Sequence, residues 1–170
     1  MNRKQVIVLP YDEKWKDDFA AIRDELNTVL GGLVLRIEHV GSTSVEGLPA
    51  KPIIDIDAVI SDRAVLPDVI TALGKLGYSH EGDLGLPGRE AVKDVGKEHL
   101  RQHPLYVCAE DSAELKRHLG FRDYLRTHPD AAAEYGRIKE EGARLYPWDM
   151  DKYIEHKSSF IENIYRQSGL

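Results

Sequence analysis

The strongest constraint on this chain is a pair of β-patterned segments, 33–40 and 53–60, joined through a glycine turn. In the first, Leu35, Ile37 and His39 alternate with Arg36 and Glu38; in the second, Ile54, Ile56 and Ala58 alternate with Asp55 and Asp57. The period of two puts both aspartates on one strand face and the isoleucines on the other. The first segment runs straight into Gly41-Ser42-Thr43-Ser44, and a loop with Gly47 and Pro49 leads to the second. The density of apolar neighbours around the aspartates (Ile53, Ile54, Ile56, Val59, Ile60) predicts a central strand whose acidic face lines a cleft.

The rest of the pattern surrounds that pair with helices. Asp12 suits a cap for a helix in which Trp15, Phe19, Ile22, Leu26 and Val29 recur at helical spacing, ending at Gly31-Gly32. Leu66 to Leu76 predicts a second helix, with Pro67 in its first turn and Gly77 as its stop. Tyr78 to His80 opens a strand, and Ala91 to Val95 with Leu105 to Cys108 reads as a strand pair. Beyond Asp111 the chain turns helical, with Asp111 and Glu114 in capping-box spacing, a break at His128-Pro129 and a bend at Pro147-Trp148 before a last amphipathic run. The expectation is an α+β chain in which residues 1–170 form one domain, a mixed sheet flanked by helices with the helical C-terminal portion packed on it.

Charge narrows the partners. Lys and Arg number 23 against 29 Asp and Glu, a net charge of −6. Such a chain lacks the broad basic field of a nonspecific nucleic-acid binder, so an anion must be met by local positive charge. Cys108 is the sole cysteine, which excludes an intrachain disulfide and four-thiolate zinc sites and fits a reducing cytoplasm. The N-terminal run Val6 to Leu9 is too short for a membrane span, and no later run is long enough. The oligomeric state has no signal.

Carboxylates two apart on a strand have Cα atoms about 6.5–7 Å apart. Two like charges held about 6 Å apart repel by roughly 3 kcal/mol at an effective dielectric of about 20, so a cation belongs between Asp55 and Asp57. Their hard oxygens favour Mg²⁺ or Mn²⁺, which commonly bind one or two carboxylates plus substrate phosphate. Gly41-Ser42 offers the phosphate side, since glycine lets backbone N–H groups approach an anion and serine adds a hydroxyl. The same residues equally suit an ordinary turn followed by two surface aspartates.

The run Glu38-His39-Val40-Gly41-Ser42-Thr43-Ser44, then Gly47-Leu48 and Ala50-Lys51-Pro52-Ile53-Ile54-Asp55-Ile56-Asp57, resembles the signature of the GrpB family. The likeness continues through Gly82-Asp83-Leu84-Gly85, Gly88-Arg89-Glu90, His103, Leu105 to Cys108, Phe121 to Arg126, His128-Pro129 and Tyr153 with Lys157. That family in turn resembles the polymerase-beta-like nucleotidyltransferase superfamily, through Val40-Gly41-Ser42 and Asp55-Ile56-Asp57. The resemblance implies a nucleotidyltransferase-like sheet, a nucleoside triphosphate held at Ser42, a divalent metal on both aspartates, and transfer to an unidentified acceptor. Such enzymes usually carry a third acid on a later strand, and Leu105-Tyr106-Val107-Cys108 has none; Glu90, Asp94 or His103 remain alternatives. By association with an extension of dephospho-CoA kinase, a coenzyme-A-related ligand is a further expectation.

Lys51 and Arg89, each beside a turn near the cleft, and Arg122 and Arg126, one turn apart on a helix, are candidate phosphate ligands; a solvated face with local ion pairs accounts for the arginine pair as well. His103 is a candidate catalytic group, with a loop histidine as its alternative. Cys108 reads as a small buried hydrophobe. The function expected is Mg²⁺-dependent nucleotide binding with nucleotidyl transfer, against a noncatalytic binding module or a metal-dependent phosphohydrolase.

Overall fold

Residues 4–170 are described by a computed structural model. Among them, in chain order, run α1 (Lys14–Leu30), β1 (Arg36–Val40), β2 (Asp55–Ile60), α2 (Leu66–Gly74), β3 (Tyr78–Gly82), β4 (Arg89–Asp94), β5 (Leu105–Ala109), α3 (Ala113–Thr127), α4 (Pro129–Leu145) and α5 (Met150–Ser168). The five strands form one mixed sheet in the order β1-β2-β5-β4-β3. β2 runs parallel to β5, and every other neighbouring pair is antiparallel. The α+β expectation holds, including the β4–β5 pairing.

Strand β1 begins later than its alternation suggests. The amides of Leu33 and Val34 bond back to the Leu30 carbonyl, so these residues complete the exit from α1 before the chain can extend. Helix α3 is capped by Ser112, whose hydroxyl accepts from the Leu115 amide, and not by Asp111. The expected box is displaced by one residue because Ser112 holds the extended conformation an N-cap needs.

The alternation of β2 sorts the molecule into two layers. Ile56, Ala58 and Ile60 enter the main core with Trp15, Ile22, Leu26 and Leu30 of α1, Val69 and Leu73 of α2, and Leu105 and Val107 of β5. On the other face, Val59 and Cys108 meet Leu115 of α3. Farther along that face, Val45 and Leu48 of the glycine loop pack with Leu125 and Tyr135, which fastens the α3–α4 corner over the turn. Cys108 is fully buried there, and burial pushes its thiol well above the usual range. No described helix is long and apolar enough to cross a membrane.

Candidate functional site

The face of β2 that leaves the main core carries the chemistry. Val40 at the end of β1 pairs with Asp55, and Tyr106 of β5 lies beside Asp57 from the other flank. Directly after Val40, Gly41 adopts φ 73° and ψ −176°. A Cβ there would stand 2.2 Å from Asp55 Oδ2. Only glycine meets both demands, so the turn and the acidic strand are in contact as their spacing predicts.

The turn is braced from behind. The Thr43 hydroxyl donates to the Ile53 carbonyl at 2.9 Å, and His39 Nε2 meets the Thr43 hydroxyl oxygen at 2.9 Å. With its proton committed to Ile53, Thr43 accepts from His39 Nε2–H, which fixes that tautomer. Burial, then Arg126 and Arg122, push His39 down to about 4, so it stays neutral.

Three successive turns of α3 pin the same region. His118 Nδ1–H donates to Asp57 Oδ2 at 2.6 Å, Arg122 to Glu38 Oε2 at 2.6 Å and to the His39 carbonyl at 3.0 Å, and Arg126 twice to the Ser44 carbonyl, at 2.8 and 3.0 Å. Burial acts to lower the pKa of His118, but the hydrogen bond and charge of Asp57 outweigh it and hold the imidazole above its ordinary value. The two arginines therefore clamp the helix to β1 and the turn, outside the cleft expected of them.

The cleft itself, about 560 Å³, opens between this sheet face and the α4–α5 hairpin. Ser42, Thr43 and Asp55 line one side, Arg89 and Tyr106 the next, and Lys51, Lys139, Tyr153 and Lys157 the wall opposite. Burial pushes the Asp55 carboxyl up to about 6; Asp57 adds to this, while His118, Lys157 and Lys51 oppose it. Lys139 is 2% exposed. Its burial follows from glycines on the same helix: a Cβ at Gly136 would stand 3.0 Å from Pro49, and one at Gly142 would stand 3.0 Å from the Tyr153 ring. These gaps let α4 settle against the loop before β2 and against α5. Burial, then Lys157 and Lys51, hold the Lys139 amine down to about 6, and burial and Lys51 hold Lys157 down to about 8.

Among the described residues, the buried side-chain polar atoms without a partner are Asp57 Oδ1, Arg89 Nε and Lys139 Nζ. Two belong to residues lining this cleft, and the third is on the strand face beneath it. Buried polar groups are ordinarily bonded, so these atoms leave unused hydrogen-bonding capacity in and beneath the cleft. The Arg89 guanidinium carbon lies over the Tyr106 ring, 4.2 Å from its centroid, and Arg89 Nε has no hydrogen-bond partner. A hollow of about 600 Å³ between the 44–47 loop and the α3–α4 corner holds Arg126, and its one carboxylate, Glu46, is tied to Lys16 at 3.0 Å.

Gly41, Ser42, Lys51, Asp55, Asp57 and Arg89 thus come together, whereas His103, Arg122 and Arg126 do not join them. The His103 ring is held between the Tyr78 hydroxyl and the Arg101 carbonyl, each at 2.7 Å. Glu90 and Asp94 follow Arg89 at odd spacing and so point to the opposite sheet face, Glu90 bonding to His80 at 2.9 Å. Among the described residues no group of three or more His, Cys, Asp or Glu is placed to hold a metal. His118 and Lys139 were missing from the sequence reading. His118 had a faint signal, lying one turn before Arg122, and Lys139 a better one, flanked by two glycines inside a helix.

Similarity to known proteins agrees with this architecture. The family model described as GrpB protein matches residues 5–167. The glutamate-rich protein GrpB of Alkalihalophilus pseudofirmus is 34% identical over 167 residues, 96% of each chain. The UPF0157 protein YqkA of Bacillus subtilis is 32% identical over 160 residues, and the match covers 94% of this chain but 46% of YqkA, so this chain spans under half of that relative. A dephospho-CoA kinase of Mycolicibacterium paratuberculosis is 25% identical over 189 residues, 98% of this chain and 46% of that protein. Among solved structures, GrpB from Enterococcus faecalis superposes with a TM-score of 0.83 at 33% identity, covering 95% of this chain and 96% of that one. The Cid1 poly(U) polymerase with MgGTP bound shares the fold at a TM-score of 0.54 and 11% identity, over 78% of this chain and 42% of that one. The GLD-2/RNP-8 complex does so at 0.59 and 15%, over 90% and 58%. From the segment ahead of α1 through almost the whole of α5, on a nucleotidyltransferase-like fold, this chain belongs to the GrpB family.

Proposed function

We propose that the cleft binds a nucleoside triphosphate together with Mg²⁺ or Mn²⁺ and supports nucleotidyl transfer to an acceptor. The observation that carries this reading is the buried Asp57 Oδ1, unbonded, on the same strand face as Asp55 and under a glycine turn that only an absent side chain permits. Two carboxylates with an unsatisfied oxygen suit a hard cation that takes its remaining ligands from phosphate and water. Asp55 and Asp57 would hold the ion, which when bound neutralises phosphate charge and polarises the phosphoryl oxygen. Ser42 offers its hydroxyl to the phosphate, and Gly41 lets the chain approach it. Arg89 and the lysine wall confine the anionic chain. Titration of nucleoside triphosphates with Mn²⁺ or Mg²⁺ by calorimetry is expected to show metal-dependent binding that the paired substitution Asp55→Asn and Asp57→Asn abolishes; binding unchanged in that variant overturns the assignment.

A second reading, a binding module without turnover, draws on His118, which occupies Asp57 Oδ2, and on β5, which presents Tyr106 and Cys108 where a third acid would stand. The likeness to dephospho-CoA kinases directs that reading toward a ligand related to coenzyme A. Incubation with labelled nucleoside triphosphates and a metabolite extract separates the two: transferred label or released pyrophosphate rejects the module.

A further inference from the structure

We propose that Lys51, Lys139 and Lys157 form a receptor for a polyphosphate chain, a ligand with at least two linked phosphoryl groups, that works without a metal ion. The inference rests on the reading of the cleft as a phosphate site and adds to it a second, purely cationic grip opposite the aspartates. The three lysines enter from different segments: the loop before β2, α4 and α5. Lys139 Nζ is buried and has no partner. Lys51 meets only the weak acceptor Met150 Sδ, at 3.7 Å, among its described hydrogen bonds. Aromatic faces take the place of counterions, with Lys51 and Lys157 sharing the Tyr153 ring at 5.8 and 5.1 Å and Lys139 lying 4.7 Å from the centre of Tyr135. Ring faces attract a cation but accept no strong hydrogen bond, so donors remain for a ligand.

Charge selects the ligand class. The groups acting on Lys139 are Lys51, Asp55 of β2, Lys157 of α5 and Glu140 on its own helix, and the two lysines help to depress its amine. Of the residues lining the cleft, Asp55 is the one acid against these three lysines and Arg89. In a chain whose net charge is −6, this is a local positive site and not part of a general basic surface. With every group ionised, the lysines exceed Asp55 by enough to require at least a dianion, and lysines on separate segments suit a charge spread along a chain. Nucleoside triphosphate tails, inorganic pyrophosphate and the diphosphate of coenzyme A share that chemistry.

Calorimetric titration of the full chain with inorganic tripolyphosphate, pyrophosphate and orthophosphate in the presence of EDTA tests the proposal. Tripolyphosphate is expected to bind saturably and more tightly than orthophosphate, and Lys139→Met to weaken it about ten- to a hundred-fold, as loss of a charged hydrogen bond does. Coenzyme A in a parallel titration supports the diphosphate source if it competes with tripolyphosphate and the triphosphate source if it does not. Methionine keeps the volume of lysine and removes the buried, unpartnered amine, and a melting curve on the same sample verifies its fold. Lys157→Gln provides an independent variant with a loss in the same direction. Absence of saturable binding, orthophosphate binding as tight as tripolyphosphate, or full affinity in both variants overturns the proposal. EDTA makes this experiment blind to the aspartates, so its failure is distinct from failure of the metal-dependent nucleotide titration.

Discussion

The two faces of β2 are made from alternate residues of one strand and have opposite energetic characters. Ile56 and Ala58 are completely buried among aliphatic and aromatic neighbours, where every contact is satisfied by shape. One step away in sequence, Asp57 is equally buried yet keeps an unbonded oxygen, and across the cleft Lys139 keeps an unbonded amine. Burial stabilises one face and strains the other. The difference teaches that burial alone does not identify a core: unsatisfied polarity beside a cleft marks a candidate site, and the apolar face supplies the stability that tolerates it.

Substitutions on the two faces are therefore expected to act with different sizes and signs. Ile56→Ala, on the apolar face, should destabilise the fold by about 2–5 kcal/mol in urea unfolding, as large-to-small changes in closed cores do. Gly41→Ala, at the edge of the cleft, should cost about 1–3 kcal/mol for backbone conformation alone. Displacement of Asp55 by the new methyl should add to that, visible as loss of metal-dependent nucleotide binding. Lys139→Met should instead raise stability, by about 1–3 kcal/mol, since it removes a buried donor with no partner. A destabilised Lys139→Met would erase the contrast between the faces.

That last gain should itself depend on pH. Lys139 is held down to about 6 when folded, against an ordinary lysine value near 10.5 when unfolded. The unfolded chain therefore binds the extra proton throughout that window, and the wild-type fold gains stability as pH rises through it. The advantage of Lys139→Met should be greatest at pH 6 and below and fade toward pH 10. Urea unfolding of both proteins at pH 6, 8 and 9.5 measures it, and a pH-independent difference would mean that Lys139 is not titrating.

The sequence made the strand pair and its acidic face legible because period-two alternation survives any tertiary setting. Asp55, Asp57 and Gly41 were visible as a pattern, and their contact followed from the pairing of Val40 with Asp55. Helical residues were harder. Arg122 and Arg126 share a stripe with His118, but a stripe does not say which partner it faces; here it meets protein acceptors at each turn. His103 looked available beside a strand and is enclosed by Tyr78 and Arg101. Lys139 was hidden by the ordinary expectation that lysine is solvated. Two glycines inside one helix, each costing about 1 kcal/mol relative to alanine, were the overlooked sign of a close approach.

The orphaned amine of Lys139 also gives the protein a built-in reporter. Any molecule that satisfies it binds the folded chain and not the unfolded one, so occupancy must raise the melting temperature. Heating the protein against a panel of anionic metabolites would then rank natural ligands directly, with Lys139→Met as the deaf control. A ligand of the cleft can thus be sought by melting temperature alone, with no reaction to assay.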